Sequence, residues 1–262
     1  MKFSILASGS TGNSIYIESK ETRVLVDAGL SGKQIEEALG KIGVDPNTLD
    51  ALIITHEHVD HIKGIGVLAR RYKLPIYTNQ ATWNQLGSAV GKVEEEQVKY
   101  LEIGEIKALN DLHVEAFGIS HDAAAPMGFC FYQDNKKLGI ATDLGYVSQK
   151  IKGILQNADA LIFEANHDVE MLRMCSYPWN VKRRILSDIG HLSNETSGEA
   201  LVDIIGEKTK KVYLAHLSKD NNMMELARLT IKNTLEDYGI STEENLTIYD
   251  TYPDRPTKLE VV

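Results

Sequence analysis

One short stretch carries an unusual density of reactive side chains. Within His56-Glu57-His58-Val59-Asp60-His61 there are three imidazoles and two carboxylates. Histidine nitrogens and carboxylate oxygens bind divalent metals of borderline hardness, with bonds of about 2.0–2.2 Å. In an irregular loop His56 and His58, two apart, can point the same way. Asp60 and His61 can then face a second metal about 3.5–4 Å from the first. The plainer alternative is a polar loop or helix start that happens to be histidine-rich. Three of the chain's eight histidines in six positions, directly after the apolar run Ala51 to Ile54, weigh against it.

Four further positions follow the same grammar, a ligand-type residue at the end of an apolar run. Asp27 follows Val24-Leu25-Val26, His121 follows Phe117 to Ser120, Asp143 follows Gly139 to Thr142, and His216 follows Val212 to Ala215. Singly, each reads equally as a turn aspartate, a hydrogen-bonded histidine or a cap. Several strand ends on one edge of stacked sheets would converge on one pocket.

The elements that must deliver these residues are legible from periodicity. Phe3 to Ala7, Ile15 to Ile17 and Arg23 to Asp27 read as a β-meander, with Ser8 to Ser14 a polar turn. Ser31 caps a helix over Lys33 to Lys41. Ala51 to Ile54 reads as a strand buried on both faces, Ile65 to Tyr72 as a helix, Pro75 to Thr78 as a strand, and Thr82 to Leu86 as helical. Val98 to Ile119 divides into three short strands. Gly128 to Gln133 and Lys137 to Thr142 flank a hairpin turn, Asp134-Asn135-Lys136. A helix over Ser148 to Gln156 and a strand over Ala160 to Glu164 follow. His167 to Gly206 is helical, with breaks at Tyr177-Pro178 and near Gly190. A strand over Lys211 to Ala215, a helix over Met223 to Tyr238 and a strand over Leu246 to Tyr249 complete the series. This suits one layered α/β domain over residues 1–262, its sheets covered by helices.

Composition excludes some functions. The 28 basic and 37 acidic residues give a formal net charge of −9, which argues against polyanion binding driven by overall charge. A local basic patch or bound cations could still reverse the sign on one face. Two cysteines, Cys130 and Cys175, make no disulfide framework. The first residues are too short an apolar run for a signal segment, and nothing approaches a membrane span. The expectation is a cytoplasmic protein with no membrane partner.

The segment Thr55 to His61, and the order Asp27, His56/His58/Asp60/His61, His121, Asp143 and His216, resemble the ordered motifs of the metallo-β-lactamase superfamily. The resemblance implies a four-layer αββα sandwich with a two-metal hydrolytic site on one edge. It implies that His56, His58 and His121 hold one metal, Asp60, His61 and His216 the other, and that Asp143 bridges them. Asp27 would stand behind the ligand loop and orient it.

The superfamily's fold does not select a substrate. The gap from Asp143 to His216 looks too short for the inserted domain of β-CASP nucleases, and little follows His216 for the helical domain of hydroxyacylglutathione hydrolases. Phe163-Glu164-Ala165-Asn166-His167-Asp168 is similar to the His-Glu-Ala-Thr segment of tRNase Z. Glu164 would face the site, with His167 and Asp168 behind it; Asn166 or Asp168 as a helix cap is the equal alternative. Gly190-His191-Leu192-Ser193-Asn194 resembles the Gly-His-Ser/Thr segment of the same nucleases. His191 there would protonate a leaving oxygen, a contribution on the order of 10²–10⁴-fold, while Ser193 or Asn194 could instead only cap the next helix. Together with Ala7 to Ser14, these segments resemble the bacterial YycJ (WalJ) group, which implies a metal-dependent phosphodiesterase with 5′→3′ exonuclease action on DNA and a link to DNA repair.

Trp179, Lys182, Arg183 and Arg184 put an aromatic beside three cations just before His191, an arrangement able to hold a phosphate backbone and stack a base. The alternative is a solvated helix face with a buried tryptophan. The expected cofactors are two divalent ions, Mn²⁺ or Zn²⁺, or else Fe²⁺. The expected catalytic residues are His191, Glu164 and Asp60, and the expected partner is nucleic acid, DNA before RNA. Rival readings are a hydrolase of a small phosphodiester or thioester, an RNA-processing nuclease, a diiron redox enzyme and a non-catalytic subunit. The diiron enzymes typically carry glutamate where His58 stands, and a degenerate subunit would have lost ligands that are all present here.

Overall fold

The computed structural model describes residues 1–242 and 246–262. The first sheet holds β1 (Lys2–Ala7), β2 (Ser14–Glu18), β3 (Arg23–Val26), β4 (Ala51–Ile53), β5 (Ile76–Thr78) and β6 (Val98–Tyr100). The second holds β7 (Ile106–Leu109), β8 (Leu112–Gly118), β9 (Met127–Gln133), β10 (Lys136–Ala141), β11 (Ala160–Glu164), β12 (Lys211–Ala215) and β13 (Thr247–Tyr249). A last strand, β14 (Glu260–Val261), returns to pair with β1, so the first sheet runs β14-β1-β2-β3-β4-β5-β6 and the second β13-β12-β11-β10-β9-β8-β7.

Each sheet begins antiparallel and becomes parallel where the site forms. β3, β4, β5 and β6 run parallel, as do β10, β11, β12 and β13. Parallel neighbours require crossovers, and their C-terminal ends lie together on one edge. The sequence supplies this with strands that are apolar on both faces, β4 and β11 being buried throughout.

Three apolar layers hold the stack together. Between the sheets, Phe3, Ile5, Ile17 and Ile53 pack against Val114, Phe129, Phe131 and Ile140. Outside the first sheet, Leu25 and Leu52 meet Ile35 and Leu39 of the helix Gly32–Lys41 and Leu68 of the helix Ile65–Tyr72. Outside the second, Leu161 and Phe163 meet Leu201 of the helix Asn194–Ile204 and Ile231 of the helix Met224–Asp237. The result is the expected αββα order. Truncating Phe129 or Phe131 to alanine, both fully buried, would cost about 3–5 kcal/mol.

Local expectations hold with small shifts. Ser31 closes a capping box with Gln34. The β9–β10 hairpin turns on Asp134-Asn135, with Asp134 at φ 53° and Lys136 already paired to Gln133. Two features differ. The ligand stretch is not wholly irregular: Val59–Ile62 forms one helical turn that begins right after His58. β14 was not foreseen, because two residues carry no periodicity. Among the described residues no helix is long and apolar enough to cross a membrane.

Candidate metal centre

Three of the strand ends share a device. Asp27, Asp143 and His216 follow β3, β10 and β12 and all adopt left-handed backbone, at φ 59°, 61° and 57°. Side chains with a Cβ rarely take this conformation, and where they do, surrounding structure enforces it. Here it brings each side chain into the cleft at the sheet edge instead of letting the strand continue.

The ligand stretch is clamped from below. Asn13 N donates to Asp60 O and Ala28 N to His61 O, both at 2.8 Å. Gly29 lies so close to this peptide that a Cβ there would fall 1.7 Å from Asp60 O. Asp27 accepts from Thr55 N at 2.9 Å and Thr55 Oγ1 at 2.8 Å, and its Oδ2 meets His61 Nδ1 at 2.7 Å. Asp27 therefore holds the ring of His61 through Nδ1 and leaves Nε2 to the cleft.

Among the described residues four groups of donors have atoms within 4.8 Å of one another: the two expected triads, His56, His58 and His121, and Asp60, His61 and His216, together with His56, His61 and Asp143, and Asp143, Glu164, His191 and His216. Asp143 touches both triads: its Oδ2 is 3.4 Å from His61 Nε2, and its Oδ1 is 3.3 Å from His216 Nε2 and 3.8 Å from His121 Nε2. His56 Nε2 and Asp143 Oδ2 are buried without a hydrogen-bond partner among the described residues. Buried polar atoms seldom go unpaired, so two orphans at the centre of a nitrogen–oxygen cluster fit a cation. Either triad, with Asp143, offers the donor types that divalent ions take.

The charge balance agrees. Burial works against the imidazolium of His61, but the carboxylates of Asp143 and Asp27 outweigh it and raise the group to about 9. His216 is likewise buried yet held well above the usual histidine range by Asp143, Asp60 and Glu164. His56, buried among His61, His121 and His58, is pushed well below it. Burial disfavours the charge of Asp60 as well, but the hydrogen bond from His216 and the positive charge of His61 lower its carboxyl.

Glu164 and His191 join the same cluster. His191 Nδ1 is 2.8 Å from Glu164 Oε1, which also lies 3.4 Å from His216 Nδ1. Glu164 Oε2 accepts from Leu144 N at 2.7 Å and Leu192 N at 3.3 Å. The carboxylate is fully buried; burial opposes its charge, but the neighbouring His191 and His216 lower its pKa. The His191 ring sits 5.0 Å from that of His121 and 5.2 Å from that of His216, between the two triads.

Other expectations are corrected. Asp168 caps the helix Val169–Met174, its Oδ1 accepting from Met171 N at 2.8 Å, so it is a cap and does not stand behind the site. Ser193 caps the helix Asn194–Ile204, which leaves His191 free for the cleft. His167 is 1% exposed, and neither ring nitrogen has a hydrogen-bond partner among the described residues. Burial lowers it to about 4, so its ring is neutral, and it makes no bond to a triad residue. Lys182 is not a surface cation. Its Nζ is buried and donates to Arg173 O at 2.6 Å and Cys175 O at 2.7 Å, satisfying carbonyls at the end of the preceding helix. Trp179 is 64% exposed, not buried, and Arg183 is exposed beside it. Arg184 is bonded to Asp122, whose Oδ1 lies 3.4 Å from His121 Nε2.

Several contributors had no sequence argument. Asn13 reaches Asp60 Oδ2 at 3.4 Å and His61 Nε2 at 3.2 Å, and Asn166 Nδ2 donates to His216 O at 2.8 Å. Glu57 accepts from Ala124 N at 2.7 Å, tying the His121 loop to the ligand stretch. For Asn13 the only signal was its place in a glycine-bracketed turn; for Asp122 there was none.

Comparison with known proteins agrees with this geometry. Residues 7–216 match the family model of the metallo-beta-lactamase superfamily. The chain belongs to that superfamily. It is a metal-dependent hydrolase of this family, and its relatives narrow the group. It is 50% identical over 262 residues to the exodeoxyribonuclease YycJ of Bacillus anthracis, covering 100% of this chain and 99% of that one. It is also 50% identical over 260 residues to the exodeoxyribonuclease WalJ of Streptococcus pneumoniae serotype 2, covering 98% and 97%. Among solved structures, the metallo-beta-lactamase fold protein YhfI from Bacillus subtilis superimposes with a TM-score of 0.73 at 17% identity, over 98% of each chain. The short form of human tRNase Z does so with 0.67 at 16% identity over the whole of both. At those identities the likeness is one of fold.

Proposed function

We propose that this hydrolase is a dinuclear-metal exodeoxyribonuclease that cleaves DNA phosphodiesters from the 5′ end, with residues 1–262 as one catalytic unit. The full-length 50% identity to two proteins named exodeoxyribonuclease carries the reading, and the Glu164–His191 pair beside the donor cluster supports it. On this reading the protein works in the cytoplasm, and a part in DNA repair is its natural setting.

His56, His58 and His121 would hold one divalent ion, Asp60, His61 and His216 the second, with Asp143 between them. Mn²⁺, Zn²⁺ and Fe²⁺ all suit nitrogen and oxygen donors without thiolate. When bound, such ions supply an acidified water as nucleophile and positive charge for the phosphoryl oxygens. The chain's own residues do the rest. Asp27 and Asn166 keep His61 and His216 in place, and Asn13 steadies Asp60. The Glu164 carboxylate stabilises the His191 imidazolium through Nδ1. The proton on Nε2 can then pass to the leaving oxygen as its bond to phosphorus breaks. Trp179 and Arg183 offer a stacking face and a phosphate contact on the approach.

The test supplies purified protein with 5′-labelled DNA and RNA of one sequence under Mn²⁺ or Zn²⁺. Labelled mononucleotide from DNA is the expected product. Turnover of a thioester with no release from either polymer would overturn the reading. Asp143→Ala should lose both activity and metal; an unaffected rate would contradict its bridging position.

A further inference from the structure

A cavity of about 420 Å³ opens beside the donor cluster, and none of the chemistry above uses it. Its walls are the turn Ser8–Thr11 and the segment Leu217–Lys219, with Met224 and Tyr252 also lining it. No candidate donor is among its lining residues, but two of them, Ser8 and Gly9, are bonded into the centre. Ser8 Oγ accepts from His216 N at 2.8 Å. Gly9 N donates to Asn13 Oδ1 at 2.9 Å, and Asn13 in turn reaches Asp60. Gly9 sits at φ +138°, and a Cβ there would lie 3.3 Å from Leu217 O, so the glycine is what lets the two walls close on each other.

The size falls within the range of small-ligand sites, about 300–1,000 Å³. The lining suits a flat ligand with apolar faces and polar edges. Leu217, Met224 and Tyr252 offer apolar contact. The Tyr252 ring is backed by Arg255, whose guanidinium carbon lies 3.9 Å from the ring centroid. Thr11 and Lys219 are exposed, and Lys219 makes no salt bridge among the described residues. The charge of the whole chain adds a second argument. With a net charge of −9, Lys182 buried and Arg184 bonded to Asp122, side-chain cations here add little attraction for phosphates beyond what the bound ions would supply. Contact with bases must supply more of the binding, and stacking does so whatever the sequence.

We propose that this cavity receives the nucleoside on one side of the scissile phosphodiester, its base against Tyr252 and its neighbouring phosphate near Lys219. The assignment rests on the nuclease reading above. A phosphodiester at the ion that Asp60, His61 and His216 would hold carries two substituents, and the cavity begins beyond Ser8, which is bonded to His216.

The test compares wild type with Thr11→Trp, which fills the cavity from an exposed turn, and Tyr252→Ala, which strips its aromatic contact. Mn²⁺-loaded proteins are given thymidine 5′-(p-nitrophenyl) phosphate and bis(p-nitrophenyl) phosphate, which lacks a nucleoside. Binding of thymidine 5′-monophosphate is measured separately by calorimetry. Both variants should raise KM for the thymidine ester at least tenfold more than for the nucleoside-free ester, and thymidine monophosphate binding should be lost in Thr11→Trp. Equal changes on the two esters, or equal nucleotide binding by wild type and Thr11→Trp, would overturn the assignment. If wild type degrades no DNA, the nuclease reading fails and the binding measurement still decides: nucleotide binding that Thr11→Trp abolishes keeps the cavity as a nucleotide site, and none in wild type removes it.

Discussion

His191 and the seven donor residues differ in what their loss should do. Removing a donor empties the site, whereas removing His191 should slow the reaction with the ions in place. His191→Ala is expected to lower kcat on DNA by about 10²–10⁴-fold while metal content, measured by elemental analysis, stays at the wild-type level. The donors also make binding pH-dependent. His61, raised to about 9, and His216, held well above the usual histidine range, carry protons at neutral pH in the metal-free protein. Ions bind neutral imidazole, so loading at pH 7 must expel those protons, and affinity should climb as pH rises toward about 9. Titration calorimetry in buffers of different ionisation enthalpy should show about one to two protons released per chain at pH 7 and fewer above pH 9; no difference between buffers would count against the charge balance described. At this scale the candidate donors stood out by position, four of them crowded after the apolar run Ala51 to Ile54 and His121, Asp143 and His216 each behind an apolar run of its own. Asn13, Asp122 and Asn166 did not, because an amide or a lone carboxylate in a loop has no period and is recruited only by the fold.

Elements explain both what the sequence predicted and what it misplaced. β3, β4, β10, β11 and β12 could be read from their apolar runs, and their common edge follows from parallel pairing. Charge runs on short helices were harder. Within the helix Trp179–Ile185 the cations are adjacent in sequence, yet Lys182 turns inward to the carbonyls of Arg173 and Cys175 while Arg183 faces solvent. Nothing in a seven-residue stretch reveals that the preceding helix end needs a donor. Asp168 shows the same ambiguity resolved toward structure. Asp168→Ala should lower stability by about 0.5–2 kcal/mol, the usual value of an N-cap, with metal content and kcat unchanged. Chemical denaturation reads the first and a steady-state assay the second; a large loss of kcat at wild-type metal content would return Asp168 to the site.

Across the whole molecule, the described residues form two seven-stranded sheets whose parallel halves present their strand ends along one edge. Motif order along the chain conveyed this architecture well, since each motif is tied to a strand end and the family's fold fixes where those ends meet. The pairing of β14 with β1 and the cavity beside His216 depend on segments distant in sequence, and no local pattern announced them. If, as proposed, the two triads and Asp143 make one two-ion catalytic unit acting on DNA, titrating Mn²⁺ into metal-free protein while following mononucleotide release from 5′-labelled DNA should show no release without metal and a rate that levels off at two ions per chain. Full activity at one ion, or release that ignores metal, would contradict that assignment.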